Sequence, residues 1–395
     1  MTDRIDIPSG VFLSLPSDAV RFGAGAVDRL AEDVDRLNAK RAFLITNRSI
    51  AREKTLLARV EQLLGGRHVG THASVRPHVP ASDVWDAVEA ARRCNADILI
   101  SLGGGSAIDC AKLAAFVLAG GASSVETLCQ IAVSHHRSDI DPPLPQIAIS
   151  TTLSAAEFSP AAGVTDESSR VKGVIVNPGL APRIAVLDPA VTVSTPRELW
   201  LSTGIKALDH AVERFCAHDH QPLVDTLCIE SARLLIEHLP ASAGTGDAAL
   251  AARAQCQIGA WLSFYGWLNA RTGLSHVLGH QLGARFGVPH GNTSCVTLPH
   301  VIRLAHARTS PGQFAKLAHA LGLAADTKLA PAAIADIIAK LVHDFALPST
   351  LRALGVPADQ LDRLIAAASE EFIASGRVTP GQLPPDIARV VHAAW

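Results

Sequence analysis

No stretch of this 395-residue sequence is dense in arginine or lysine. With 35 basic and 37 acidic side chains the formal charge is −2, so the counterion release that drives nucleic-acid binding has no source. The apolar runs are too short, or too interrupted by Gly and Pro, to span a membrane. The opening MTDRIDIPSG is polar and carries no signal-peptide core. Seven cysteines (94, 110, 129, 216, 228, 256, 295) contain no CxxC pair. That excludes a zinc ribbon or disulfide frame and favours a reducing compartment. Internal repeats and low-complexity tracts are also lacking. The expectation is a cytoplasmic protein with neither a nucleic-acid nor a membrane partner.

What is present is enough apolar residue, 48% of the chain, to build two cores at this length. In the first half, short β-rich runs at 41–47 (RAFLITN), 96–102 (ADILISL), 146–151 (QIAIST) and 183–188 (RIAVLD) alternate with helical patterns at 84–94 and 107–118. That alternation is the signature of a parallel sheet with covering helices. Beyond DPAVTVSTP (188–196) the strand signal disappears. Helical patterns follow at 200–216, 222–238, 247–268, 273–286, 311–321, 331–344 and 358–375. Pro196 stands where helix starts prefer it. The Ala/Ser/Gly-rich residues 240–250 read as a loop. The fold class is therefore α/β plus all-α, with an α/β domain over 1–195 and a helical one over 196–395.

Three segments carry chemistry. SLGGGSAIDCAK (101–112) is a strand running through three glycines and a serine into a helix. The backbone there can approach an anion closely, and the N–H groups of the helix start point toward it. It is neither GxGxxG nor a P-loop. ISTTLSAAE (149–157) is another strand end, opening into hydroxyls that could bond a cofactor. NARTGLSHVLGHQLGARFGVPHG (269–291) puts His276 and His280 one turn apart on a helix face, with His290 after a Val-Pro turn. Such a pair can grip a metal or flank a substrate carbonyl. Of the seventeen histidines, others such as His135 and His136 read as solvent-exposed. In TGIKALDHAVERF (203–215), a buried helical pattern holds Lys206 one turn before His210.

Together these segments resemble the iron-containing alcohol dehydrogenase family over nearly the whole chain. The match runs from RFGAGAVDRL (21–30) through AVLDPAVTVSTP to LPHV (298–301) and LPSTLRALGV (347–356). The resemblance implies a Rossmann-like dinucleotide-binding domain, a helical catalytic domain and NAD(P)-dependent hydride transfer in the cleft between them. It places Gly103, Gly104, Gly105 and Ser106 at the pyrophosphate, with Asp109 supporting that loop. Asn47, His78, Thr151, Thr152 and Lys172 lie around the cofactor by the same resemblance. The family's metal ligands are an aspartate and three histidines. His210, His276 and His290 match the histidines, and His280 matches a further active-site position. At the aspartate position this chain has Lys206.

An ammonium about 5 Å from a divalent ion costs roughly 6–7 kcal/mol at an effective dielectric of 20. Three neutral imidazoles do not offset that, so the expected site is metal-free. Asp209 points about 100° around the helix from His210, and Glu213 could reach the same face without replacing the lost ligand. The maleylacetate reductase branch is similar in lacking the aspartate and in working without metal. The short 151–157 segment and His78-Val79-Pro80 resemble that branch too, although Lys206 departs from both patterns. Arg271 and Arg285 are candidates for binding a second substrate carboxylate.

The expected function is reduction of a small carbonyl or oxo acid by NAD(P)H. Lys206, with His210 or His276, would polarise the carbonyl, and His276, His280 or His290 would donate the proton. Thr46-Asn47-Arg48 offers no acid for the ribose 2′-OH, and Arg48 could accept a 2′-phosphate, which leaves NAD and NADP open. The family resemblance also implies a homodimer. Alternative readings are a metal-dependent alcohol dehydrogenase, a dehydroquinate-synthase-like lyase, and a binding protein on the same fold.

Overall fold

Six strands form one parallel sheet: β1 (Ala19–Phe22), β2 (Ala42–Asn47), β3 (His68–Val75), β4 (Ile98–Gly103), β5 (Gln146–Ser150) and β8 (Ile184–Leu187). They lie in the order β1-β8-β5-β4-β2-β3. In this computed structural model the described residues are 10–134, 144–169, 171–306, 311–323, 326, 328–377 and 386–395. His135 and His136 lie outside them. The central strands β2, β4, β5 and β8 are buried on both faces, apart from the half-buried Asn47 at the end of β2. They therefore read as continuous apolar runs. The edge strands β1 and β3 escaped sequence detection because most of their residues are only half-buried and neither is an apolar run. Also undetected was a two-stranded antiparallel unit, β6 (Ala161–Thr165) with β7 (Lys172–Val176).

Helices α1 (Leu30–Arg36), α2 (Arg48–Arg52), α3 (Lys54–Leu64), α4 (Ala81–Arg93), α5 (Gly105–Leu118) and α6 (Val125–Val133) belong to this half. Two apolar clusters fill the sheet's faces. Val27, Leu44, Ile100 and Ile147 belong to one, and Phe43, Ile45, Leu99 and Phe116 to the other. The sheet order reverses direction between β2 and β4, which opens the crevice where such sheets take ligands, outside the carboxyl ends of the strands.

The second half is helical: α7 (Arg197–Phe215), α8 (Pro222–Ser242), α9 (Gly246–Phe264), α10 (Leu274–Phe286) and α11 (His290–Val301). Pro311–Ala320, Ala330–Asp344, Leu361–Ala374 and Ile387–Ala394 follow. The loop expected at 240–250 is a correction. α8 continues to Ser242 and α9 starts at Gly246, because Leu239, Ser242 and Ala249 are buried there. Every residue of α7 from Trp200 to Phe215 is buried. The main helical core includes Leu153, Phe158, Ala185 and Leu187 from the sheet half. The two halves thus share apolar packing.

Candidate active site

The site is assembled where α7, α10 and α11 meet. On α7, Lys206 and Asp209 are three residues apart and share a face. The Lys206 Nζ donates to Asp209 Oδ2 at 2.8 Å and to His276 Nδ1 at 2.9 Å. From α11, Ser294 Oγ donates to the same Asp209 oxygen at 2.6 Å, while Asp209 Oδ1 has no partner. Asp209 is fully buried and Lys206 nearly so. Burial pushes the Asp209 carboxyl up, and the ammonium and hydroxyl pull it back. An ammonium has three hydrogens. Two are taken, and the third has no protein partner among the described residues.

Four imidazoles surround this pair. The His276 ring centroid lies 5.5 Å from that of His210, 4.6 Å from His280 and 6.2 Å from His290. Burial first, and then the Lys206 charge, hold His210 and His276 well below the ordinary histidine range. His290 is depressed by burial, then by Lys172 and Lys206. A neutral His276 that accepts at Nδ1 carries its hydrogen on Nε2. His280 differs from the others, because its Nδ1 lies 2.7 Å from Glu371 Oε1. Burial lowers His280, and Glu371 opposes that shift.

Supporting contacts fix these elements. Glu213 accepts from the N–H groups of Gly273 (2.9 Å), Ser275 (2.6 Å) and His276 (3.1 Å), holding the start of α10. Arg214 donates to the carbonyls of Ser263, Tyr265, Gly266 and Ala270 and so shapes the turn before α10. Phe264, at the end of α9, stacks on His210 with centroids 4.0 Å apart. At Gly291 a Cβ would lie 2.8 Å from the Ser202 backbone, so α11 approaches α7 closely only because glycine stands there.

Across the cleft, α5 begins at Gly105 without a side-chain cap, leaving N–H groups of its first turn for an anion. Gly103 has φ +152°, and a Cβ there would lie 2.4 Å from Asn47 Oδ1. A Cβ on Gly104 would lie 2.9 Å from Thr152. These strand tips bring Asn47, Gly103, Gly104, Gly105, Ser106, Thr151 and Thr152 together. Asp109 accepts from Gly163 N at 3.1 Å, tying β6 to α5. The Lys172 side chain lies over Gly163, and burial lowers its pKa while Asp109 opposes. His78 and Val79 both adopt left-handed φ (64° and 54°), and Thr165 Oγ1 donates to the His78 carbonyl at 2.7 Å. His78, Thr165 and Lys172 face Gly283, Arg285 and Gly287 across a cleft of about 390 Å³.

This uncapped, glycine-lined helix start fits a dinucleotide pyrophosphate. The histidine set does not fit a divalent cation. One imidazole already accepts from an ammonium, Asp209 is engaged by that ammonium and by Ser294, and Glu213 is spent on α10.

Of the sequence candidates, Lys206, His210, His276, His280 and His290 come together. Asp209, set aside from its angular position, is the direct partner of Lys206. Arg271 is a correction. It donates to the Ser375 and Gly376 carbonyls at 3.0 and 2.8 Å and faces Asp219, so it serves a surface turn. Arg285 is occupied by Gln281 at 3.0 Å and lines the cleft mouth. Arg48 is exposed and donates to the Ser74 carbonyl. Glu371 and Arg377 were missed, since nothing in their local sequence distinguishes them from a surface helix end.

The structure thus joins a parallel-sheet half with a glycine-lined helix start to a helical half that carries a histidine cluster. Residues 17–189 match the iron-containing alcohol dehydrogenase family, and residues 200–390 match the C-terminal domain of the Fe-containing alcohol dehydrogenase family. The chain belongs to this family. It is 30% identical over 373 residues to a maleylacetate reductase of Burkholderia cepacia, covering 94% of each chain. It is 32% identical over 355 residues to a 1,3-propanediol dehydrogenase of Citrobacter freundii, covering 85% of this chain and 86% of the other. The solved structure of a 1,3-propanediol oxidoreductase superposes with a TM-score of 0.86 at 27% identity, covering 98% of this chain and all of that one.

Proposed function

We propose that this chain reduces a small carbonyl or oxo acid with NADH or NADPH and does so without a catalytic metal. The observation that carries this reading is Lys206, whose ammonium sits against His276 where the family resemblance puts an acidic ligand. The bound dinucleotide supplies the hydride. As negative charge develops on the carbonyl oxygen, the third ammonium hydrogen of Lys206 stabilises it, and a buried, water-poor setting strengthens that interaction. Asp209 orients the ammonium through the 2.8 Å hydrogen bond. His280, the site imidazole whose protonated form is supported by a carboxylate, that of Glu371, hands over the proton from its imidazolium state. Relatives named maleylacetate reductase and 1,3-propanediol dehydrogenase support carbonyl or alcohol chemistry. The same reading expects a homodimer, which light scattering measures.

The test is NADH and NADPH consumption with a panel of aldehydes and oxo acids, with and without a chelator. Turnover insensitive to chelation is expected. Loss on chelation, restored by iron or zinc, sinks the metal-free reading. Inactivity with every substrate favours a binding role, and product formed without net NADH loss favours a lyase.

A further inference from the structure

Arg377 follows the helix Leu361–Ala374 by one short turn, on the side of the site where Glu371 meets His280. Its Nε donates to the Thr272 carbonyl at 2.6 Å, just before α10, and its Nη2 is 3.5 Å from Thr272 Oγ1. Among the described residues no carboxylate lies within ion-pair distance of it. Yet its charge reaches both His280 and Glu371. The nearer acids are committed elsewhere, Glu371 to His280 and Gln281, and Glu213 to α10. A guanidinium presents five donors in a planar fork, and among the described residues only Thr272 takes any of them.

The backbone that carries Arg377 is held in place. Gly376 has φ +66°, and a Cβ there would lie 2.7 Å from Arg271 Nη1. Arg271 in turn holds the Ser375 and Gly376 carbonyls and faces Asp219. One arginine thus shapes the turn that presents the other. Glu371, Glu213 and Asp219 act on this partly desolvated guanidinium only at a distance, and no carboxylate touches it among the described residues. Beside the His280–Glu371 pair it is placed to take an anion from outside.

We propose that Arg377 binds a carboxylate of the substrate, which makes the substrate an oxo acid rather than a neutral aldehyde. This rests on the carbonyl-reductase reading above and narrows it. Arg377 recognises the substrate, while Arg271 positions it.

The experiment uses the NADH-loaded protein, with 4-oxopentanoate and its methyl ester as probes. Binding is followed by calorimetry and turnover in parallel, for the parent, Arg377→Gln, Arg377→Lys and Arg285→Gln. The parent is expected to bind the acid at least tenfold more tightly than the ester. Arg377→Gln should reduce that preference about 10- to 100-fold, the range of a charge-assisted contact. Arg377→Lys should retain part of it, and Arg285→Gln most of it. A parent that does not distinguish acid from ester overturns the proposal. So does an Arg377→Gln preference within threefold of the parent's, or a loss confined to Arg285→Gln. Because the readout is a ratio within one protein, partial unfolding does not mimic it. Acid-selective binding without turnover leaves the carboxylate site standing and removes the reductase reading. Turnover of aldehydes without acid preference does the reverse.

Discussion

Two buried ionic residues set this site apart at the scale of single side chains. Lys206 and Asp209 are 5% and 0% exposed at the side chain, so removing either leaves a charge buried without its partner. Lys206→Met is expected to lower kcat by about 100-fold or more, about 3 kcal/mol in the barrier, while NADH affinity shifts less than threefold. Unchanged turnover would mean that the lysine does not face the reacting carbonyl. The same substitution should cost about 3 kcal/mol of stability in urea, and adding Asp209→Asn should recover at least half of it.

Glu157 gives a pH-dependent prediction at this scale. Burial raises its carboxyl to about 7, with Ser150 and Lys112 opposing, and its Oε2 has no partner. The folded state therefore holds this proton more tightly than the unfolded chain does. Its contribution is full below about pH 4.5 and is lost as pH rises through about 7, a swing of about 3 kcal/mol. Glu157→Gln should be more stable than the parent at pH 8, with the gap closing at pH 5. Thermal melts at the two pH values measure this, and a gap independent of pH would contradict it.

At the scale of elements, the site depends on how α10 begins. Glu213 on α7 receives three N–H groups of that first turn, an arrangement favoured by charge and by the helix dipole together. Glu213→Ala should cost about 3 kcal/mol in urea denaturation and lower kcat, because His276 and His280 both ride on α10. Loss of stability with kcat intact would show that α10 stays in place without this cap. Helical periodicity placed α7 and α10 within a few residues of their observed ends, since an amphipathic or buried pattern survives any packing arrangement. The 240–250 error came from composition. Small residues suit a tight helix–helix contact as well as a loop, and burial of Leu239, Ser242 and Ala249 decided between them.

For the whole molecule, the helical core draws on Leu153, Phe158, Ala185 and Leu187 of the sheet half. A shared apolar core couples the two halves, so calorimetry should record one cooperative unfolding transition. Two separated transitions would show that the halves fold independently. The same packing sets the cleft, with His78 and Lys172 facing the Gly283–Gly287 side. By itself the sequence determined the parallel-sheet and helical halves, the glycine-lined helix start and the presence of Lys206 among four site histidines. The first two depend on local periodicity and on backbone that only glycine permits, and the third on the family's motifs matched along the chain. Only the tertiary structure decided that Asp209 and Ser294 hold Lys206, that Arg271 serves a turn and that Arg377 stands beside His280. Such contacts join residues up to 105 positions apart, and no local pattern encodes which of many charged side chains will meet.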